Sequence, residues 1–353
     1  MKPSQNPQEH NWLSLRTLCQ EGREGPMRKP IQPVHKSALL GFLLLCAATI
    51  APLRTAAADN TFERTLSVSG PVRLELSNGS GNVEIKGTAD GKVHIFGKVT
   101  GGWSLFGGSE KNIQEVVANP PIEQHADVIR IGKNSVRNVS IEYSIEAPRE
   151  TEIDAGVASG GITIDNVRGP VKASSASGYL HVYRVERDAN VSAASGAIDV
   201  SGIGGILRVS SASGDVVVAD VKGDLKVNAA SGSIRISNPS DKVDASAASG
   251  AIEIRGAMND LKVHAISGSV NVSGDPSPNR LWELKTVSGS VEIRVPPNAS
   301  FLLSAEATSG NIRTNLPVIL EEQSKHSLRA HVGSSSGRIE VHTVSGEINV
   351  RGS

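Results

Sequence analysis

Residues 195–214 read SGAIDVSGIGGILRVSSASG, one full unit of a repeat and the start of the next. The unit opens on Ser195-Gly196 and closes 18 residues later on Ser213-Gly214. The same dipeptide falls on this beat at Ser159-Gly160, Ser177-Gly178, Ser231-Gly232, Ser249-Gly250 and Ser267-Gly268. A fixed period repeated this often means one structural unit stacked on copies of itself.

Each unit divides into two halves, and each half alternates apolar with polar residues, the signature of a strand with one buried face. One apolar column reads Ile162, Leu180, Ile198, Val216, Ile234, Ile252 and Val270, and a second runs two residues further on, from Ile164 to Val272. The other half-repeat supplies Val171, Ala189, Leu207, Leu225, Val243 and Leu261, with a fourth column from Ala173 to Val263. These columns predict an all-β fold, a parallel β-solenoid with 18-residue coils of two short strands, each strand pairing with its equivalent one coil away at ~4.8 Å. Burying each Val, Ile or Leu of such a column contributes about 1.5–3 kcal/mol. Aromatic residues make up only 3% of the chain, which suits a thin interior of stacked aliphatics.

The turns follow the same beat. Nine residues after each Ser-Gly stands Gly169, Arg187, Gly205, Gly223, Asp241 or Asn259. All but Arg187 tolerate left-handed backbone angles, so the second corner is expected there. Alanine precedes most of the repeat serines, as a corner with little room would require. Later the beat stretches, to Ser288-Gly289, Ser309-Gly310, Ser336-Gly337 and Ser345-Gly346. The extra residues, 274–282, 295–300 and 313–330, read as loops inserted between coils. The expected solenoid domain is 151–353, about eleven coils, with no evident cover over its C-terminal end, which leaves association through that end open. Residues 59–150 are expected to be a β-rich N-terminal cap that shields the first coil's edge, with a short helix at 109–119.

Residues 1–58 read as an N-terminal extension and signal peptide. The apolar run 38–51 is shorter than a comfortable membrane span, Arg28, Lys29 and Lys36 precede it, and Ala56-Ala57-Ala58 offers a cleavage site. Met27 is a plausible true start. Leu45 is bulky where a lipid-modified Cys46 needs a small neighbour. Export to the periplasm, cell surface or medium is therefore expected, with a membrane met only through this segment, cleaved or kept as an anchor. Cys19 and Cys46 both precede the cut, so the mature chain has no disulfide, thiolate metal site or thiol nucleophile.

The repeated SGAIDV, SGSIRI, SGAIEI and SGEINV strands, the LSNGSGNVEIKG pair and the SIEAPRETEIDAGVASGGITI stretch resemble a bacterial family of adhesin-like β-strand repeat proteins of unknown function. The resemblance covers most of residues 61–353. It implies an exported β-solenoid without an assigned catalytic centre, and it brings no functional residues with it.

The remaining chemistry is sparse. Lys plus Arg and Asp plus Glu number 36 each, so no global field draws nucleic acid. The turns lack the acidic pattern of calcium-binding β-rolls, the histidines have no zinc-site spacing, and the serines repeat for geometry rather than beside a general base. No catalytic residue, cofactor or metal is expected. Two outward patches are candidates for contact. Tyr179, His181 and Tyr183 alternate along one strand and are expected to present rings to a ligand. Lys172, Arg208, Lys226 and Lys262 fall in one outward column that also holds Asn190 and Asp244, a stripe suited to an anionic polymer. The function expected is a non-enzymatic surface or envelope scaffold of the adhesin type, its partner an envelope polymer or protein. An envelope-associated sensor or regulatory protein-binding module is the alternative, and a carbohydrate-active β-helix enzyme comes last.

Overall fold

The computed structural model describes residues 60–101, 109–132, 136, 138–334 and 337–353. The extension, the signal peptide with its cleavage site, both cysteines and Ser336 lie outside them. Among the described residues no helix is long and apolar enough to cross a membrane.

Two long sheets carry the fold, one of 14 strands and one of 15. Among the described residues twelve coils, each with one strand in either sheet, are stacked in parallel. From residue 152 to 274 the coils follow the chain, and their register is the one the columns predict. Leu180 pairs with Ile162 and Ile198, and Val171 with Ile153 and Ala189. The four apolar columns are buried along their length. Neighbouring coils share each buried face, so the stack rather than the single coil is the stable unit.

The Ser-Gly corner is a ladder of backbone hydrogen bonds. The amide of Gly160 donates to the Ser177 carbonyl at 2.9 Å, Gly178 to Ser195 at 3.1 Å and Gly196 to Ser213 at 3.0 Å. Each of these glycines has φ between +125° and +137°. The second corner departs from expectation. Its left-handed residues are Asn166, Arg184, Gly202, Asp220, Asn238 and Gly256, three positions before the predicted column. Arg184, not Arg187, is the residue at odds with its backbone, at φ +50°, and its guanidinium pairs with Asp165. Gly169 and Gly223 are small for another reason: a β-carbon there would meet carbonyl oxygens of the coil behind at 2.1 and 2.6 Å.

The windings do not begin at residue 151. Strands Arg73–Ser80 and Val83–Thr88 form a coil bonded in parallel to Glu152–Ser159 and Ile162–Val167, and neither sheet breaks at that point. Val128–Ile131 and Val139–Pro148 form a further coil on the outer side of 73–88. Beyond it the sheets end in antiparallel strands, Lys92–Gly101 with Thr61–Ser67 on one and Ile122–His125 on the other. Helix Ser109–Ala118, close to the predicted 109–119, packs there and buries Ile113 and Val116.

The C-terminal end also departs from a simple spiral. The last strands, Gly337–Ser345 and Ile348–Gly352, lie between coil 281–295 and coil 301–314. Gly337 opens a strand rather than forming a corner. Ten coils follow residue 151, and the final one in sequence is interior. Residues 313–330, expected as a loop, contain strand Ile319–Gln323 and the start of Ser327–Val332, a hairpin that pairs antiparallel with Phe301–Ser309 and covers one sheet of the outermost coil. Near each end of the stack one coil thus lies out of chain order, 73–88 inside 128–148 and 337–352 inside 301–314.

Two aromatic residues enter the interior near this end. Trp282 takes a column position beside Leu261 and Ile339, and its Nε1–H donates to the Asn259 carbonyl at 2.9 Å. Phe301, fully buried, pairs in register with Gly337.

Candidate functional site

In each regular coil the strand before the Ser-Gly corner ends in a run such as SSASG (174–178) or SAASG (192–196). Alternation makes the first and third of these residues face outward and the second inward. Ala158, Ala176, Ala194, Ala212 and Ala230 are accordingly exposed, not confined in a tight corner. Beside them runs the column Ser174, Ser192, Ser210, Asn228 and Ser246. Under both lies Ser175, Ala193, Ser211, Ala229 and Ala247, all buried. Because every side chain here is small, the three columns form an open trough of about 1100 Å³ running across the strands from Ser77 to His264. It crosses eight coils, a length of ~34 Å at the sheet spacing. Two of its buried polar groups are tied down: Ser175 Oγ donates to the Gly160 carbonyl at 3.2 Å, and Asn78 Nδ2 to the Ile141 carbonyl at 2.8 Å. The surface left to a ligand is mostly methyl and methylene.

The trough was legible in part. The alanine column is visible in the sequence, and the outward alternation of the same strand would have placed it on the surface. The tight-corner reading missed this because the corner begins only at Ser177 and Gly178.

On the other sheet Tyr179, His181 and Tyr183 come together as expected. The rings of Tyr179 and His181 lie 4.7 Å apart and those of His181 and Tyr183 5.9 Å apart. Tyr179 lies across Gly161, where a β-carbon would stand 2.1 Å from its Cζ. The Tyr183 hydroxyl donates to Asp199 at 3.0 Å. Partial burial, then the Asp199 carboxylate, push the Tyr183 phenol above its ordinary value. The strip therefore offers ring faces more readily than free hydroxyls, with only Tyr179 more than a third exposed.

The basic stripe also lines up. Lys172, Asn190, Arg208, Lys226, Asp244 and Lys262 are in register on consecutive coils. Carboxylates interrupt it. Lys172 pairs with Asp154 at 3.0 Å and Lys226 with Asp244 at 3.5 Å, and Lys262 is in register with Glu283. Lys285 above all, with a smaller contribution from Lys262, holds the Glu283 carboxyl below its usual range. From Asp154 to Glu283 four cations face three carboxylates, and only Arg208 and Lys226 are adjacent with no acid between them. Such a ladder keeps an exposed sheet soluble and makes a weak field for a polyanion.

Among the described residues no group of three or more His, Cys, Asp or Glu stands close enough to hold a metal ion. The closest imidazole–carboxylate pairs among these residues are His331 with Glu321, at 2.6 Å, and His94 with Asp90 and His342 with Glu306, each at 3.2 Å. The first belongs to the C-terminal hairpin, where Arg329 also holds Glu321.

The sequence profile described as Toastrack DUF4097 matches residues 69–351. No curated protein matches the chain. Three solved structures are similar to it, each covering 83% of this chain. One is a candidate cell adhesion protein from Clostridium sporogenes, 15% identical, covered over 100% of its length, with a TM-score of 0.21. Another is a candidate adhesin from Bacteroides fragilis, 13% identical, 97% covered, TM-score 0.32. The third, from Parabacteroides distasonis, is described as a candidate lipid binding protein, 13% identical, 97% covered, TM-score 0.35. At such identities and scores the likeness carries no functional information.

Proposed function

The chain belongs to the Toastrack DUF4097 family, and on that premise we propose that it is an exported, non-enzymatic β-solenoid serving as an adhesin-like binding scaffold at the cell envelope. The observation that carries this reading is the trough. It is long, straight and periodic, its lining is small and mostly apolar, and it suits an elongated ligand laid across many coils. Repeat proteins use extended surfaces of this kind for recognition. The aromatic strip on the other sheet supplies a second, smaller contact surface.

The test is a pull-down from the cell envelope fraction with the intact protein and with Ala212→Arg, which obstructs the trough at an exposed position. Loss of captured material in the variant is expected, and equal capture by both proteins refutes the reading. Cell fractionation with sequencing of the mature N-terminus tests the export; a mature chain found in the cytoplasm with residues 38–58 still attached refutes that part.

A second reading, an envelope-associated sensor or regulatory module that docks another protein, draws on a different feature. Strand Ile319–Gln323 is an unpaired sheet edge, with Ile319 70% and Leu320 50% exposed. Such an edge can accept an added strand. Under this reading Leu320→Pro, and not Ala212→Arg, removes the captured partner.

A further inference from the structure

The trough does not run out into open surface. After Ala248 its alanine column gives way to Ile266, Val287 and Val344, which are 59%, 50% and 51% exposed. Strand register sets these three on consecutive coils. Over the same coils the neighbouring outward column changes from serine to His264, Lys285 and His342. These residues line a second cavity of about 430 Å³, which shares His264 and Ile266 with the trough.

Unmet polar capacity gathers at this junction. Nε2 of His264 has no hydrogen-bond partner, nor do the hydroxyls of Thr286 and Thr343, two side chains that line the cavity and are only 4% exposed. At the matching position of earlier coils, Ser175 and Ser211 donate to glycine carbonyls. Buried polar atoms left without a partner call for an explanation. The charges nearby divide unevenly. Glu283 engages Lys285, and Glu306 stands beside His342, while His264 is flanked in register by Ser246 and Lys285. The channel therefore gathers its ionisable groups at one end, where Lys285, His264 and His342 stand against Glu283 and Glu306, and has no charged residue in its lining along the rest.

We propose that trough and cavity form one site for a single-chain anionic amphiphile, a long-chain fatty acid. Its carboxylate sits between His264 Nε2 and Lys285, and its hydrocarbon tail lies along the alanine column toward Ala176. This rests on the reading of the trough as the ligand surface and names what fills it. A hydrocarbon tail asks for no hydrogen bonds and matches a lining of methyl groups. A single polar head matches a channel whose ionisable groups and unmet hydrogen-bonding atoms lie at one end, which a uniform polymer would leave unused.

The experiment is a titration of the full chain with a homologous series of saturated fatty acids below their micellar concentrations, and with their methyl esters. Affinity is expected to rise about fourfold per added methylene. The ester of a given length should bind about tenfold or more weakly than its acid, from loss of charge-assisted hydrogen bonds. H264A combined with K285Q should remove that acid–ester difference. A212R, at an exposed position, should abolish the chain-length dependence, and A194Q serves as an independent obstruction. Equal affinity for acid and ester, or no dependence on chain length, overturns the proposal. If fatty acids fail to bind while A212R still abolishes capture of envelope material, the amphiphile falls and the trough remains the ligand surface. If A212R changes neither, both fall.

Discussion

A β-carbon on Gly214 would stand 2.1 Å from the carbonyl oxygen of Gly196, one coil away. The same approach recurs from Gly160 against Gly81 to Gly310 against Gly346. Glycine is required at this corner twice over, by a left-handed φ and by backbone packed on backbone.

Gly214→Ala is therefore expected to be strongly destabilising. Backbone strain at φ +130° costs on the order of 1–3 kcal/mol, and the contact with Gly196 adds to it. Thermal melting followed by circular dichroism should show a fall of several degrees, larger for Gly214→Val. Ala212→Ser, two residues away and exposed, should stay within about 0.5 kcal/mol of the parent. An unchanged melting temperature for Gly214→Val refutes the corner.

Ending the chain at residue 336 removes an interior coil rather than a terminal one. Ile339, Val341, Ile348 and Val350 are fully buried in it, worth about 6–12 kcal/mol of apolar burial at 1.5–3 kcal/mol each. Coils 281–295 and 301–314 also lose their shared partner. The truncated protein should aggregate or melt without a cooperative transition. A soluble monomer that melts within a few degrees of the full chain would show that the last coil is not threaded between the other two.

Trp282 separates packing from hydrogen bonding. Trp282→Phe keeps a ring in the column but loses the bond to the Asn259 carbonyl, at a cost of about 1 kcal/mol. Trp282→Ala also opens a cavity, for about 3–5 kcal/mol in all. Denaturant unfolding read by circular dichroism should rank the two in that order. Equal losses would place the indole outside the core.

Tyrosine titration reads the buried phenols. Burial raises the pKa of Tyr143, and burial together with Asp199 raises that of Tyr183. A raised phenol pKa means that the folded state holds the proton more tightly than the unfolded chain. The stabilisation is complete below the unfolded value of about 10 and is lost as pH rises through the folded value. Phenolate absorbance should thus show two tyrosines ionising above pH ~10, and alkaline unfolding should accompany them. Asp199→Asn should lower the Tyr183 transition and leave that of Tyr143 unchanged. If the variant moves neither, Asp199 does not hold the hydroxyl.

The interior was readable because its signal is local and repeated. Ile198 must face inward wherever Leu180 and Val216 do, since the same alternation recurs every 18 residues. The second corner was misplaced by three positions because Gly, Asn and Asp serve two purposes. At Asn166 and Asp220 they allow a left-handed turn, and at Gly169 and Gly223 they make room for the next backbone. Spacing alone does not tell these apart. Of the candidate contact surfaces, the aromatic strip and the basic stripe were visible as residue types in register. Asp244 was visible within the stripe, but the carboxylates that flank its two ends, Asp154 and Glu283, lie in coils bordering the regular array.

The sequence by itself determined the winding of the coils, which side chains enter the interior, and the place of the Ser-Gly corner. Each of these depends on a residue's own alternation and on its copy one period away. Only the tertiary structure decided the order of coils at the two ends and the course of the trough across the sheet. Parallel strands of one repeat type offer nearly the same hydrogen bonds to any neighbour. Nothing local therefore says that coil 337–352 lies under 301–314, or that 73–88 lies between 128–148 and 152–167. That order follows from connection lengths and from the hairpin and antiparallel strands that close the stack. The trough exists only once eight coils have set their small side chains side by side.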